Sequence, residues 1–410
     1  MKRFLSIVLA ASLCPIALNA QDAGPGGFFY TFEIDQFLEA DSDRDLATPE
    51  REEGGEAITD LRFGAVTETR SQRVGFDLGS GFRVSDGELT GEDINLRLAY
   101  TRNSADAVLD TSFSIVRSNI EFLRDASDFI DADGELVLPE DFEDLIGSGI
   151  RTSAALATSL RWGETDPLGY RVSLRQDSLR YIDASEALLD RDSRTLGAGL
   201  RLNINAVTTG NIDLSYSQTE EVGEPDEDRV TFSSALTFDR PLGDLTYRLS
   251  TTRNEDDDIF WAGTISRRLA RPRSNWAGSI SLIEDEDGDP RFTGSLNFTY
   301  PRPVGQIDLS AEHSLAAGGD RATTTLLANY AQELSTVSNM QFTVSFAEAS
   351  DSDGSDSLAT GALSGSYGLE LSPLWQLSLG ARVNVRDEDG SRRRSNTVFL
   401  GLQRSVSWRP

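Results

Sequence analysis

Short segments in which apolar and polar side chains alternate recur along nearly the whole chain, and no other feature limits the fold so sharply. Phe28, Tyr30, Phe32 and Ile34 alternate with Thr31, Glu33 and Asp35. Leu196, Ala198, Leu200, Leu202 and Ile204 alternate with Gly197, Gly199, Arg201, Asn203 and Asn205. Trp375, Leu377, Leu379, Ala381 and Val383 alternate with Gln376, Ser378, Arg382 and Asn384. A period of two places successive side chains on opposite faces of a strand. About twenty such segments are read by this rule, starting near residues 28, 57, 72, 93, 107, 150, 169, 194, 211, 229, 244, 258, 274, 290, 305, 321, 338, 358, 374 and 395. Helical periodicity is nearly absent, and no apolar run is long enough to span a membrane as a helix. The chain is therefore expected to be all-β: either a soluble sandwich or a barrel that crosses a membrane with strands.

The connections decide between these two. Every second one is long and acidic, as in 39–56, 85–93, 120–149, 182–193, 218–228 and 284–289. The others are short and carry turn residues, such as Arg240-Pro241-Leu242-Gly243 and Pro301-Arg302-Pro303. Most of the 67 Asp and Glu residues fall in the first set. A sandwich has no reason to place its charge on alternate loops, whereas a transmembrane barrel has short turns at one end and longer loops at the other. Aromatic residues agree. Tyr100, Trp162, Tyr300, Tyr330 and Trp408 end strands that run into the short turns, and Tyr170, Tyr247, Trp276 and Trp375 begin strands that leave them. Tyr and Trp gather where membrane meets water. Phe260 and Trp261 are expected at the opposite edge.

The first twenty residues read as a signal peptide: Lys2 and Arg3, an apolar stretch from Phe4 to Leu13, and a cleavage site at Leu18-Asn19-Ala20. The domain division is then 1–20 signal peptide and 21–410 a single barrel. Cys14 is the only cysteine and lies in that leader, so disulfides and thiolate chemistry are not expected downstream. The net charge is −29, and losing Lys2 and Arg3 makes it more acidic, which speaks against a nucleic-acid partner.

With these features the chain resembles Gram-negative outer-membrane β-barrels of the porin type. The last strand, with Val398, Leu400, Leu402, Val406 and Trp408, is similar to the alternating, aromatic-ended strand of that group, although Arg409-Pro410 follow the tryptophan. The resemblance implies an antiparallel up-and-down transmembrane barrel of about 20 strands, with 16–22 as the range. Only 21–27 precede the first strand, which speaks against a plugged transporter. In general porins the third loop folds into the lumen. Here 120–149 has that ordinal place, and Pro139 followed by acids and then Gly147 suits a short helix. Asp128, Asp131, Asp133, Asp141 and Asp144 are therefore candidate constriction residues; an ordinary external loop is the alternative.

Arg62, Arg83, Arg97, Arg171, Arg175, Arg201, Arg248 and Arg382 fall on the polar face of their strands, as does Arg268, and are candidate pore-lining residues. An acidic loop facing this Arg wall would set a transverse field. Alternatively the arginines pair locally with Asp77, Asp110, Asp177 and Asp213. No cofactor is called for. Asp-rich turns at 131–134, 285–289, 351–354 and 387–390 have the hard oxygens that Ca²⁺ favours, but none continues to the Glu of a full calcium loop, and plain turns account for them. His313, the only histidine, lies beside Glu312 in an expected loop; an isolated pair with no supporting motif gives no reason to expect an enzyme. The expected function is passive diffusion of small hydrophilic solutes across the outer membrane. The alternative is a structural or export barrel for polysaccharide or protein, with periplasmic partners. Partners implied by either are outer-membrane lipid and lipopolysaccharide, the barrel-assembly machinery and a second copy of the chain.

Overall fold

The computed structural model describes residues 27–409 apart from 44–45, 47–52, 86–87, most of 121–147, 186–187, 286, 316–318, 320, 352–356 and 389–390. The expected leader, 1–20, lies outside the described residues. Twenty strands follow one another: β1 Gly27–Asp41, β2 Gly54–Glu68, β3 Gln72–Ser85, β4 Glu88–Asn103, β5 Ala107–Asn119, β6 Ile150–Trp162, β7 Leu168–Ile182, β8 Arg191–Asn205, β9 Thr208–Glu221 and β10 Glu227–Arg240. The second half continues with β11 Gly243–Arg253, β12 Ile259–Arg271, β13 Ser274–Glu284, β14 Pro290–Arg302, β15 Gly305–Leu315, β16 Arg321–Ser335, β17 Ser338–Asp351, β18 Ser357–Ser372, β19 Trp375–Glu388 and β20 Ser391–Trp408.

Each strand pairs antiparallel with its neighbours in sequence, and β1 pairs with β20 from Tyr30 opposite Trp408 to Asp41 opposite Thr397. The sheet therefore closes on itself. Closure matters because an open edge would leave a row of backbone N–H and C=O groups without partners, which costs several kcal/mol per group in hydrocarbon (roughly). The expected fold class, an all-β antiparallel barrel, is the observed one, with no helix among the described residues. Two strands begin earlier than the alternation suggested, β4 at Glu88 and β20 at Ser391, so the connections before them are tight hairpins instead of long loops. Alternation marks only the part of a strand that has one apolar side, whereas backbone pairing runs on past it.

The register settles the faces. Phe32 lies opposite Phe63 and Val406, and Leu78 lies opposite Phe63 and Leu96. The outward side chains are among the most exposed apolar groups of the chain, including Leu196, Leu249, Ile280 and Leu379. Near the short turns the outward face carries aromatic pairs: Trp162 stacked with Tyr170 at 5.3 Å, Tyr30 stacked with Trp408 at 5.3 Å and Trp276 tilted against Phe298 at 4.2 Å. Tight turns hold this end together. Gly243 has φ of +132°, and a Cβ there would lie 2.1 Å from the carbonyl oxygen of Arg268.

Phe260 and Trp261 lie at the loop end of β12, the edge expected for them; Phe260 is on the inner face and buried and Trp261 outward, because adjacent strand residues must face opposite ways. One expectation is corrected. His313 and Glu312 lie within β15, not in a loop, and so on opposite faces. The His313 ring is 2.9 Å from the Thr324 hydroxyl. The face assignment has a direct test. Leu196→Arg puts a charge into hydrocarbon at about 2–4 kcal/mol, whereas Thr195→Arg, one residue away, puts it on the cavity wall. Refolding yield into lipid vesicles should fall sharply for the first and little for the second. Equal yields would mean that the faces are reversed.

Candidate functional site

The inner face encloses a cavity of about 1820 Å³ along β1–β8, β19 and β20. Arg62, Arg83, Arg97, Arg175 and Arg382 line it. Glu33, opposite Arg62 in the register, Glu39, Asp41, Glu56 and Asp60 face them from β1 and β2. Arg171, Arg201 and Arg248 also occupy the inward positions of their strands, but outside this cavity lining. Arg171 pairs with Asp213 at 3.0 Å. Arg201 donates to the carbonyls of Gly163, Glu164 and Asp166, so it ties down the turn between β6 and β7. Arg248 is exposed. Arg175 pairs with Asp177 at 2.7 Å, Arg83 with Glu56 at 3.3 Å and Arg268 with Asp244 at 3.8 Å. Asp110 takes Arg161, which the sequence reading had not singled out. Local pairing is thus the rule where an ion pair forms, and it weakens any field across the lumen.

The long connection between β5 and β6 enters this space. Leu136 and Phe142 form one buried cluster with Leu327 of β16, Ala347 and Ala349 of β17 and Leu358 of β18. Phe129 and Leu138 pack against it, and the rings of Phe129 and Phe142 meet edge-on at 5.4 Å. In the ring of twenty, β16–β18 stand opposite β6–β8, across the lumen from the end of the connection at β6. A second cluster roots the connection: Ile120, Leu145 and Leu188, with Leu123, Tyr181 and Phe129 against them. Phe129 belongs to both clusters, so apolar contact runs from the root to the far wall. The wall residues alternate with outward ones in the ordinary way. An apolar patch on an inner face, at Leu327, Ala347, Ala349 and Leu358, is the sequence signal that went unread.

Of the five candidate constriction residues, Asp128, Asp131, Asp133 and Asp144 lie outside the described residues. Asp141 is described, and it is half of a latch. Its carboxylate accepts from Arg151 Nε at 2.8 Å and from a second guanidinium nitrogen at 3.0 Å, and also from the Tyr181 hydroxyl. Burial works to raise the Asp141 carboxyl, but the hydrogen bonds and charge of Arg151 outweigh it and hold the group below the usual carboxylate range. Most of the expected short helix lies outside the described residues; among those described, the Phe142 N–H bonds the Pro139 carbonyl in a turn, with Asp141 reaching to one wall and Phe142 packed in the apolar cluster.

The opposite arc is quiet chemically. Inward hydroxyls bond across strands, Thr231 with Thr252 at 3.0 Å and Thr264 with Ser281 at 2.8 Å. Ser233, Thr252, Phe260, Ser281 and Thr293 are buried toward the loop end, whereas Arg268 and Asn297, nearer the short turns, are exposed. The lumen is thus more filled at its loop end. Glu39, Asp41 and Glu56 bring carboxylate oxygens within 4.8 Å of one another, but Glu56 is held by Arg83 and Asp41 by the Thr397 hydroxyl. Among the Asp-rich turns, Asp285 spends both oxygens on its own turn: one accepts the Asp289 N–H and the other Arg291, each at 2.8 Å.

No protein-family model matches the chain, and no curated protein matches it in sequence. In fold it is similar to the siderophore receptor PirA from Acinetobacter baumannii, with a TM-score of 0.51 and 8% identity over 94% of this chain and 81% of the other. The siderophore receptor PirA from Pseudomonas aeruginosa gives a TM-score of 0.50 and 11% identity over the same shares, 94% and 81%. The outer membrane protein OpdK from Pseudomonas aeruginosa aligns over 93% of this chain and 99% of its own at 10% identity, with a TM-score of 0.42, too low to argue from. The two receptor likenesses show the fold: the chain has the architecture of an outer-membrane β-barrel.

The latch gives a pH dependence with a definite sign. Asp141 titrates lower when the loop is docked than when it is free, so its contribution is complete above the usual carboxylate range. It is lost as pH falls through the depressed docked value. A spin label on Ser148→Cys should keep its mobility from neutral pH down to about pH 4 and become more mobile below that. Asp141→Asn should make it mobile at neutral pH. A label indifferent to both acid and Asp141 would remove the latch from this account.

Proposed function

We propose that the protein is an outer-membrane channel for passive diffusion of small hydrophilic solutes, narrowed by the connection between β5 and β6. The observation that carries this reading is the packing of Leu136 and Phe142 with Leu327, Ala347, Ala349 and Leu358 inside the barrel. A twenty-stranded barrel is too wide for wall side chains alone to fill. A segment docked across it leaves a polar passage along one side, and that passage is lined by paired Arg and carboxylate groups. Such a lining wets readily, which suits a route for hydrophilic solutes. The outward apolar surface and the aromatic girdle support a place in the outer membrane. An export barrel for polysaccharide or protein would need the lumen clear, and the docked segment stands in the way.

Planar-bilayer conductance of the refolded protein tests this. Wild type should give small, discrete steps. Leu136→Ala with Phe142→Ala removes buried contacts worth about 3 kcal/mol or more, which weakens docking by a factor on the order of 100. Step size at high salt should then rise. Steps that are already large in wild type and unchanged in the double variant would favour the export reading. A protein with no conductance in either form would end the channel reading.

A further inference from the structure

The two rims of the barrel treat outward-facing arginine differently. At the loop end such arginines are matched by acids on the same face: Arg180 with Asp192 at 2.5 Å, Arg194 with Glu220 at 3.6 Å, and Arg253 with Asp257. At the short-turn end the outward face carries Arg102 on β4, Arg240 on β10, Arg267 and Arg271 on β12, Arg302 on β14 and Arg404 on β20. Their positions follow from the register. Arg102 is two residues beyond Tyr100, Arg240 two beyond Phe238 and Arg302 two beyond Tyr300, while Arg404 lies opposite Trp375. Among the described residues no Asp or Glu shares that end of the outward face. None of Arg102, Arg240, Arg267, Arg271 and Arg302 is in an ion pair among the described residues. The acids at this end are placed elsewhere: Asp239 and Asp244 point into the lumen, and Asp106 and Glu164 sit on turns.

We propose that this ring of arginines is a binding belt for the phosphate groups of anionic phospholipids in the leaflet next to the short turns. The proposal rests on the outer-membrane reading above. Arginine presents a planar fork of donors that matches a phosphate in two parallel hydrogen bonds. Its stem lies along apolar surface while its head reaches the headgroup layer. The girdle aromatics hold two of the heads at that depth: Arg302 lies over the Tyr330 ring at 6.0 Å, and Arg404 over the Trp375 ring at 5.3 Å. The belt runs at intervals around the ring from β4 to β20, which fits a shell of lipids and not a single protein partner.

Four of the five tryptophans, Trp162, Trp276, Trp375 and Trp408, lie at this girdle and report on it. The full chain is refolded into vesicles that mix phosphatidylcholine with phosphatidylglycerol, one of the two brominated at a time, and tryptophan quenching is read. Wild type should prefer the anionic lipid at the annulus by roughly fivefold, and the preference should fall as salt is raised. The combined variant Arg102→Gln, Arg240→Gln, Arg267→Gln, Arg271→Gln and Arg302→Gln should lose it. Equal quenching by the two lipids in wild type, or a preference that survives both salt and the variant, would overturn the belt while leaving the membrane reading intact. Quenching by neither lipid would overturn both. If the combined variant does not fold, the salt series on wild type decides alone.

Discussion

Everything in this structure follows from the need to satisfy backbone hydrogen bonds where no water is available. Inside hydrocarbon an unpaired peptide group is costly enough that only a closed set of strands or a helix survives. The pairing of β1 with β20 meets that need, from Tyr30 opposite Trp408 upward. Closure then divides every strand into two chemistries. Outward residues dissolve in lipid and need no partner, so Leu196 and Ile280 are half or more exposed and still well placed. Inward residues face water or one another, and there the chain must supply its own packing.

That division explains where the core is. A soluble domain hides its apolar side chains between layers; this chain has no second layer. Among the described residues most of its buried apolar side chains gather at two places, both involving the segment between β5 and β6. Leu327, Ala347, Ala349 and Leu358 would be apolar groups facing a wet lumen if Leu136 and Phe142 did not cover them. The burial is reciprocal, and it does for the loop what hydrogen bonds do for the strands. Asp141, Arg151 and Tyr181 fix the orientation of the same turn on its other side. A segment held by apolar contact to one wall and by charge to the other has few ways to sit.

The barrel itself was legible in the residues because a period of two leaves its mark at every position. The starts of β3, β5, β6, β13 and β14 fall where the alternation puts them, and the girdle aromatics from Tyr100 to Trp408 mark the right end. The misreadings come from places where the mark is absent or shared. Phe260 and Trp261 are adjacent aromatics, and composition alone does not say which one faces in. β4 begins in acidic residues and β20 in a run of arginines, and both stretches look like loop because pairing extends beyond the apolar stripe. The docking of 120–149 was legible only as an ordinal place. The inner patch that receives it consists of four residues on three strands, and sequence gives no way to see them as neighbours. The choice between a field set by an acidic loop and local pairing of the arginines was not legible either: a count of charges per face does not show that Arg175 meets Asp177 and Arg171 meets Asp213 within ion-pair reach.

The distribution of charge then bears on how a solute would experience the lumen. At the loop end the chain carries most of its acids, and the net charge of −29 is concentrated there. Where such groups face solvent, their field is screened within about 8 Å at physiological salt. Deeper in, along β1–β8, carboxylates and guanidinium groups stand together, Arg83 with Glu56 and Arg175 with Asp177 as ion pairs, so that the passage is strongly polar and carries both signs of charge. Such a lining stabilises water and hydrogen-bonding solutes over apolar ones and discriminates weakly by sign. In the channel proposed above size becomes the main filter, and the docked segment sets it. The charge at the mouth and the contact inside are then separable: the first would govern which ions approach at low salt, and the second what fits through.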